Sequence, residues 1–107
     1  MAYNVLLTDD AISDLKNLLR YIADNDSSES ARRVLDRISK VIEGLSQQPN
    51  RGSYPKELLK LGIREYRETY YKPYRVIYRV AAESVYVYMI ADGRRDLQTL
   101  LERRLLS

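Results

Sequence analysis

Arginines recur among aromatic and β-branched residues in the stretch from Ile63 to Asp96. Arg75 and Arg79 are four residues apart on one predicted strand. Arg94 and Arg95 are adjacent to each other at the C-terminal end of the stretch. A guanidinium group binds phosphate or carboxylate oxygens through paired hydrogen bonds. These arginines therefore suit an acidic partner, either nucleic acid or an acidic protein segment. The alternative is that they keep the surface of a small domain hydrated.

Most other catalytic chemistry is excluded by composition. The chain has no histidine and no cysteine, so it lacks an imidazole base, a thiol nucleophile and a zinc site of ordinary composition. Its four glycines are scattered and form no phosphate-binding loop. We expect no metal and no cofactor, and any catalysis must use Arg, Lys, Tyr, Glu or Asp.

Charge is distributed unevenly along the 107 residues. Residues 1–50 carry 6 basic and 8 acidic side chains, a balance of −2, whereas residues 51–107 carry 12 basic and 7 acidic, a balance of +5. The length suits a single domain, residues 1–107, with one hydrophobic core. No apolar run is long enough to cross a bilayer and no signal peptide is visible, so we expect a cytoplasmic protein without membrane contact.

The stretch from Ile63 to Asp96 predicts an antiparallel meander. Tyr, Val and Ile dominate it, and Lys72-Pro73 and the segment 81–84 divide it into three pieces of strand length. One face should be core and the other should carry the arginines. Five tyrosines of this stretch suit either cross-strand packing or stacking on bases: Tyr66, Tyr70, Tyr78, Tyr86 and Tyr88.

The residues before the meander predict one strand and two amphipathic helices. The strand covers residues 2–7, and Thr8 should cap a helix that ends around Asn25 and Asp26. Ser27 or Ser28 should start the second helix, which ends at residues 47–49. Their apolar stripes recur every three or four residues and therefore face a core.

After a loop over residues 49–55, residues 56–62 can add one helical turn, and residues 94–106 can form a short helix after the meander. The predicted fold is α+β: an N-terminal strand, an α-helical hairpin packed on an antiparallel β-sheet in the order β-α-α-β-β-β, and a C-terminal helix.

Three segments together resemble the RelE/ParE superfamily, the toxins of type II toxin–antitoxin modules. They are residues 73–80 (PYRVIYRV), residues 85–90 (VYVYMI) and residues 92–97 (DGRRDL). The resemblance covers essentially the whole chain and implies the same fold. RelE-like members cut mRNA in the ribosomal A site, and ParE-like members poison DNA gyrase. Both are neutralised by a cognate antitoxin, which is therefore an expected partner.

The resemblance carries over only part of the nuclease pattern. Arg75 and Arg95 match two phosphate-binding arginines, but Tyr66 and Glu68 stand where the family keeps two lysines, and Leu101 stands at its catalytic tyrosine. The resemblance therefore favours a ParE-like gyrase inhibitor with no firm catalytic residue. The alternatives are a RelE-like ribonuclease acting on mRNA at the ribosome through Glu68, Arg75 and Arg95, and a toxin-fold protein that only binds its antitoxin or DNA.

Each arginine also has a structural interpretation. Arg75 and Arg79 could form ordinary cross-strand ion pairs with Glu65, Glu68 or Asp96, each worth about 0–1 kcal/mol if exposed. Asp92 and Gly93 could simply start a helix, although the adjacent Arg94 and Arg95 fit the positive end of a helix dipole poorly. For antitoxin binding, we expect an antitoxin segment to bind the C-terminal helix or the groove that this helix covers. Four leucines there exceed what one helix face can bury: Leu100, Leu101, Leu105 and Leu106.

Overall fold

The computed structural model describes residues 2–106. Its elements follow the predicted order, with the short turn over residues 56–59 as a helix of its own. They are β1 Asn4–Leu7, α1 Asp9–Asn25, α2 Ser28–Gly44, α3 Lys56–Leu59, β2 Arg67–Tyr71, β3 Tyr74–Ala81, β4 Ser84–Asp92 and α4 Gln98–Leu106.

The predicted caps of the helical hairpin are present. The Thr8 hydroxyl accepts a hydrogen bond from the backbone N–H of Ala11 at 3.2 Å, and the Ser27 hydroxyl accepts one from Ser30 at 3.0 Å. Each bond satisfies a backbone donor that has no partner inside its helix. α2 ends at Gly44, earlier than predicted, and residues 45–47 continue as turns.

The strands form one sheet in the order β1-β4-β3-β2. The predicted antiparallel meander of β2, β3 and β4 is confirmed, with turns at Lys72-Pro73 and Ala82-Glu83. β1 pairs with β4 in parallel, so the sheet as a whole is mixed. The helical hairpin carries the chain across the sheet to β2, and the meander then returns until β4 lies beside β1 in the same direction.

The two helices of the hairpin cover one face of the sheet. We call the buried residues there the hairpin-face cluster; they are Ala11, Ile38, Ile42, Leu45, Val76, Tyr78, Val85, Val87 and Ile90. Burial of these side chains is the main stabilising contribution of this layer, because each large apolar side chain removed from water contributes about 1.5–3 kcal/mol.

The opposite face differs from the prediction, because it is not simply an arginine-bearing surface. α3, α4 and the adjacent loops close a second apolar layer, the tail-face cluster, formed by Leu58, Tyr66, Ile77, Met89, Ala91, Leu97 and Leu101. A β-bulge helps to build it. Ile77 pairs with Met89 and Tyr78 with Val87, which leaves Tyr88 as an extra residue that turns toward Tyr66.

α4 begins at Gln98, later than the predicted Arg94, because the Asp96 carboxylate accepts a hydrogen bond from the Gln98 N–H at 3.1 Å. A paired set of hydrogen bonds ties this helix to α1: Arg104 Nη1 and Nη2 donate to the two carboxylate oxygens of Asp14 at 2.6 and 3.1 Å. Asp14 also accepts the N–H of Ile90 at 3.0 Å, beyond the point where β1 ends. One carboxylate thus joins α1, α4 and an open strand edge.

Candidate functional site

Arg75 lies at the centre of a buried ion network on the tail face of β3. Its Nε donates to Glu68 Oε1 at 2.6 Å, and its Nη1 and Nη2 donate to Glu57 Oε2 and Oε1 at 2.7 and 2.8 Å. The arginine side chain is 7% exposed. Glu68 comes from the neighbouring strand β2, whereas Glu57 comes from α3. The network therefore fastens α3 to the sheet.

The hydrogen bonds of the network favour the charged forms of Glu57 and Arg75. The hydrogen bonds from Arg75 lower the pKa of Glu57 in spite of burial. The hydrogen bonds to Glu57, and then those to Glu68, raise the pKa of Arg75. One guanidinium between two carboxylates gives the trio a formal charge of −1. Arg75 is therefore not a free cation that awaits a phosphate.

Tyr70 completes the network at the surface. Its hydroxyl donates to Glu68 Oε2 at 3.0 Å, so both oxygens of that carboxylate have a donor. Burial, followed by the nearby Glu68 charge, raises the pKa of Tyr70. The hydroxyl therefore stays protonated at neutral pH and donates its hydrogen bond to Glu68.

Two open cavities flank Arg75, with volumes of about 570 and 650 Å³. Lys56, Arg75 and Gly93 line both of them. Arg94 lines the first cavity but is paired with Asp92. We call the other exposed cations around these cavities the cation rim; they are Lys56, Lys60, Lys72 and Arg95. Within residues 2–106, none of the four forms an ion pair.

The predicted corner at residues 92–96 lies beside this network. The Asp92 carboxylate accepts hydrogen bonds from the backbone N–H and the guanidinium of Arg94, with the closest contact at 2.6 Å. These bonds lower the pKa of Asp92 and raise that of Arg94. A Cβ on Gly93 would lie 2.8 Å from Arg75 Cδ, so glycine is required for the close approach. Arg95 is exposed and lines the second cavity.

Arg79 shares a face with Arg75, as predicted, but belongs to different surroundings. Its guanidinium lies beside the Tyr66 hydroxyl, where it opposes the rise in pKa that burial causes in Tyr66. Arg79 lines neither cavity next to Arg75. The four predicted arginines thus divide into a buried one at position 75, two at the corner, and Arg79 apart from them.

The positions that correspond to nuclease groups are occupied by structural side chains. Tyr66 is packed in the tail-face cluster, and its pKa is raised by burial. Glu68 is 4% exposed and held by Arg75 and Tyr70. Leu101 is fully buried in the same cluster. The geometry at these positions suits packing and ion pairing rather than proton transfer.

The four C-terminal leucines differ in exposure. Leu106 is 44% exposed, Leu100 and Leu105 are half-buried, and Leu101 has no exposed surface. While α4 is packed on the sheet, Leu101 is therefore part of the tail-face cluster, and of the four leucines only the other three can contact a partner.

Sequence reasoning missed Glu57, the lysines of the cation rim and the Asp14–Arg104 pair. Glu57 lies in the single helical turn before the meander, 18 residues from Arg75. The predicted cross-strand partners were Glu65, Glu68 and Asp96; of these, only Glu68 bonds to Arg75. An acidic residue next to two leucines, in the segment KELLK, is the one local sign that this turn could bury a charge.

The fold and two sequence matches assign the chain to a class, the small α+β toxins of the RelE/ParE superfamily. The sequence profile of the ParE toxin of the type II toxin–antitoxin system parDE matches residues 5–97, and the chain belongs to this ParE toxin family. It is also 31% identical over 100 residues to Toxin ParE3 of Caulobacter vibrioides, a match that covers 94% of this chain and 96% of that protein.

Solved structures support the fold. The chromosomal ParDE toxin–antitoxin system of P. aeruginosa has a chain that matches with a TM-score of 0.71 at 19% identity, covering 85% of this chain and 96% of that one. The toxin–antitoxin complex RelBE2 of Mycobacterium tuberculosis matches with a TM-score of 0.63 at 22% identity, covering 86% and 92%. Within the part of the chain that the structure covers, no helix is both long and apolar enough to span a membrane.

Proposed function

We propose that this ParE-family toxin inhibits DNA gyrase, blocks replication in the cytoplasm and is neutralised by a cognate antitoxin. The observation that carries the proposal is the burial of Arg75 between Glu57 and Glu68. It supports a toxin that acts by binding, because the arginine expected to hold a phosphate is already neutralised.

The geometry gives little support to RNA cleavage. Attack by a 2′-hydroxyl group requires a base, a cation for the phosphate charge and an acid for the leaving oxygen. Glu68 is held by Arg75 and Tyr70, and the whole sequence lacks histidine. Arg95 is exposed, but a guanidinium group stays protonated and supplies neither proton-transfer step.

Two assays on the purified chain test the target. One measures supercoiling of relaxed plasmid by gyrase, and the other measures mRNA cleavage on programmed ribosomes. We expect loss of supercoiling at toxin concentrations that leave mRNA intact. Cleavage without an effect on supercoiling would assign the chain to the nuclease alternative, and no effect in either assay would favour a protein that only binds its antitoxin or DNA.

For the antitoxin, we propose that the outer surface of α4 contributes to binding through Leu100, Leu105 and Leu106. Both solved relatives are described as toxin–antitoxin systems, which supports a partner of this kind. Deletion of residues 98–107 is a poor test, because it would also remove the buried Leu101 and the Arg104–Asp14 pair.

A point substitution avoids that problem. Leu106→Asp should weaken antitoxin affinity at least about tenfold, since it places a charge in an apolar contact. Leu35→Asp on α2 is the matched control, because Leu35 is similarly exposed at 38% against 44% for Leu106. Equal affinities for both variants would contradict a role for α4.

A further inference from the structure

We infer that the cation rim, formed by Lys56, Lys60, Lys72 and Arg95, is a binding surface for an acidic peptide segment of a partner protein. The inference concerns this surface alone, and it holds whether or not gyrase is the target.

The rim cations are set apart by their position around two adjoining cavities beside Arg75, whereas Lys16, Arg20 and Arg37 of the helical hairpin line neither cavity. Arg75, Arg94 and Arg104 each bond to a carboxylate, and Lys40 pairs with Asp36 at 3.4 Å. The four rim cations have no such partner among residues 2–106, although they surround two adjoining cavities. Their positive charge is therefore available to a ligand.

The rim is also held on a fixed support. Lys56 is the first residue of α3 and Lys60 follows its last; this helix is fastened by the Glu57–Arg75 hydrogen bonds and by the fully buried Leu58. Arg95 follows Gly93, which packs directly against the stem of Arg75. Because the backbone of these residues is already ordered, binding costs less conformational entropy than it would on a mobile loop.

The lining favours a peptide over a nucleic-acid backbone. Glu57, Glu68 and Asp96 line the same cavities as the four cations. The phosphate groups of a nucleic acid offer acceptors only, so they would meet these carboxylates unfavourably. A peptide offers side-chain carboxylates for the lysines and backbone N–H donors for the exposed Asp96. In addition, the arginine best suited to grip a phosphate with two hydrogen bonds is occupied by Glu57.

Fluorescence anisotropy on the full chain tests the inference. The probes are a labelled peptide of alternating glutamate and glycine and a labelled oligouridylate of equal charge. The triple variant Lys56→Gln, Lys60→Gln, Arg95→Gln should weaken peptide binding about tenfold, because three exposed charge contacts are lost. The control Lys16→Gln, Arg20→Gln, Arg37→Gln removes the same charge from exposed positions on the helical hairpin and should cost about twofold at most.

Equal losses in the two triple variants would overturn the inference, as would tighter binding of the oligouridylate in the same cavities. If the rim variant fails to fold, NMR titration of the unsubstituted chain gives the answer. Peptide-induced shifts should concentrate at residues 56–60, 72 and 93–95. Shifts that spread over the hairpin, or no saturable shift at all, would contradict the proposed surface.

Discussion

The carboxylate of Glu57 and the guanidinium of Arg75 face each other through two parallel hydrogen bonds of 2.7 and 2.8 Å. This pair joins a single helical turn to the central meander. It removes from solvent the arginine that the family resemblance places at a phosphate, and it leaves the lysines on either side of the turn exposed. Both the stability of the domain and the character of its surface depend on it.

Loss of Arg75 should destabilise the fold strongly. Arg75→Met leaves two buried carboxylates without a cation, and we expect a loss of about 3–5 kcal/mol in the free energy of unfolding by urea. Arg95→Met, at an exposed position without an ion pair, should change it by less than about 0.5 kcal/mol. Combining Arg75→Met with Glu57→Met and Glu68→Leu should recover much of the loss. Equal effects of the two single variants would contradict a structural role for the network.

Stability should fall in acid partly through Glu57. Its folded-state pKa lies below the ordinary value of 4.5, so the unfolded chain takes up the proton first as the pH falls. The contribution of this carboxylate is complete at neutral pH and is lost as the pH falls from about 4.5 through the folded-state pKa. The stability difference between the unsubstituted chain and Glu57→Gln should therefore shrink in acid, as measured by urea unfolding. A difference that stays constant down to about pH 3 would contradict the lowered pKa.

Gly93 should not tolerate a side chain. A Cβ there would lie 2.8 and 2.9 Å from the Arg75 stem and 2.9 Å from the Pro73 carbonyl oxygen, so Gly93→Ala should cost about 1–3 kcal/mol in thermal or urea unfolding. Gly44→Ala is the control, because its Cβ would meet only the flexible end of Arg51 and alanine favours the helix. If both substitutions leave the free energy of unfolding unchanged, the close packing of Gly93 against Arg75 would be contradicted.

The Asp14–Arg104 pair should hold α4 in place. Arg104→Gln removes the paired charge-assisted hydrogen bonds of 2.6 and 3.1 Å to Asp14, whose side chain is 18% exposed like that of Arg104, and should cost about 1.5–3 kcal/mol. Hydrogen exchange at residues 98–106 should accelerate more than exchange in β3. Arg37→Gln, on the exposed surface of α2, should leave both unchanged. Unaltered exchange in α4 would show that the apolar contacts of Leu97 and Leu101 suffice.

The sequence predicted the elements well because their signals are local. Thr8 and Ser27 cap helices through their own hydroxyls, and the turns at residues 72–73 and 82–83 interrupt clear β-forming runs. The second apolar layer was missed, since Leu58 and Leu101 are brought together only when α3 and α4 pack on the sheet. The spacing of apolar residues within α3 or within α4 does not predict a contact between the two helices.

The candidate site was only partly predictable for the same reason. Arg75 and Glu68 lie on paired strands, and their ion pair was one of the combinations foreseen. Glu57 comes from outside the meander, and its burial depends on tertiary packing. The sequence therefore predicted an exposed, weak ion pair where the structure has a buried network. It did not predict the rim lysines, because Lys56 and Lys60 are positioned by α3 and Lys72 by the turn between β2 and β3.

The most direct test of the central claim is gyrase supercoiling with the unsubstituted chain and with Glu68→Gln. Glutamine can still accept the Arg75 hydrogen bond but cannot act as a base. If the toxin works by binding gyrase, both proteins should block supercoiling with midpoints within about twofold of each other, and neither should cut ribosome-bound mRNA. If neither protein affects supercoiling, and the unsubstituted chain cleaves mRNA while Glu68→Gln does not, the claim is contradicted and the site is a nuclease.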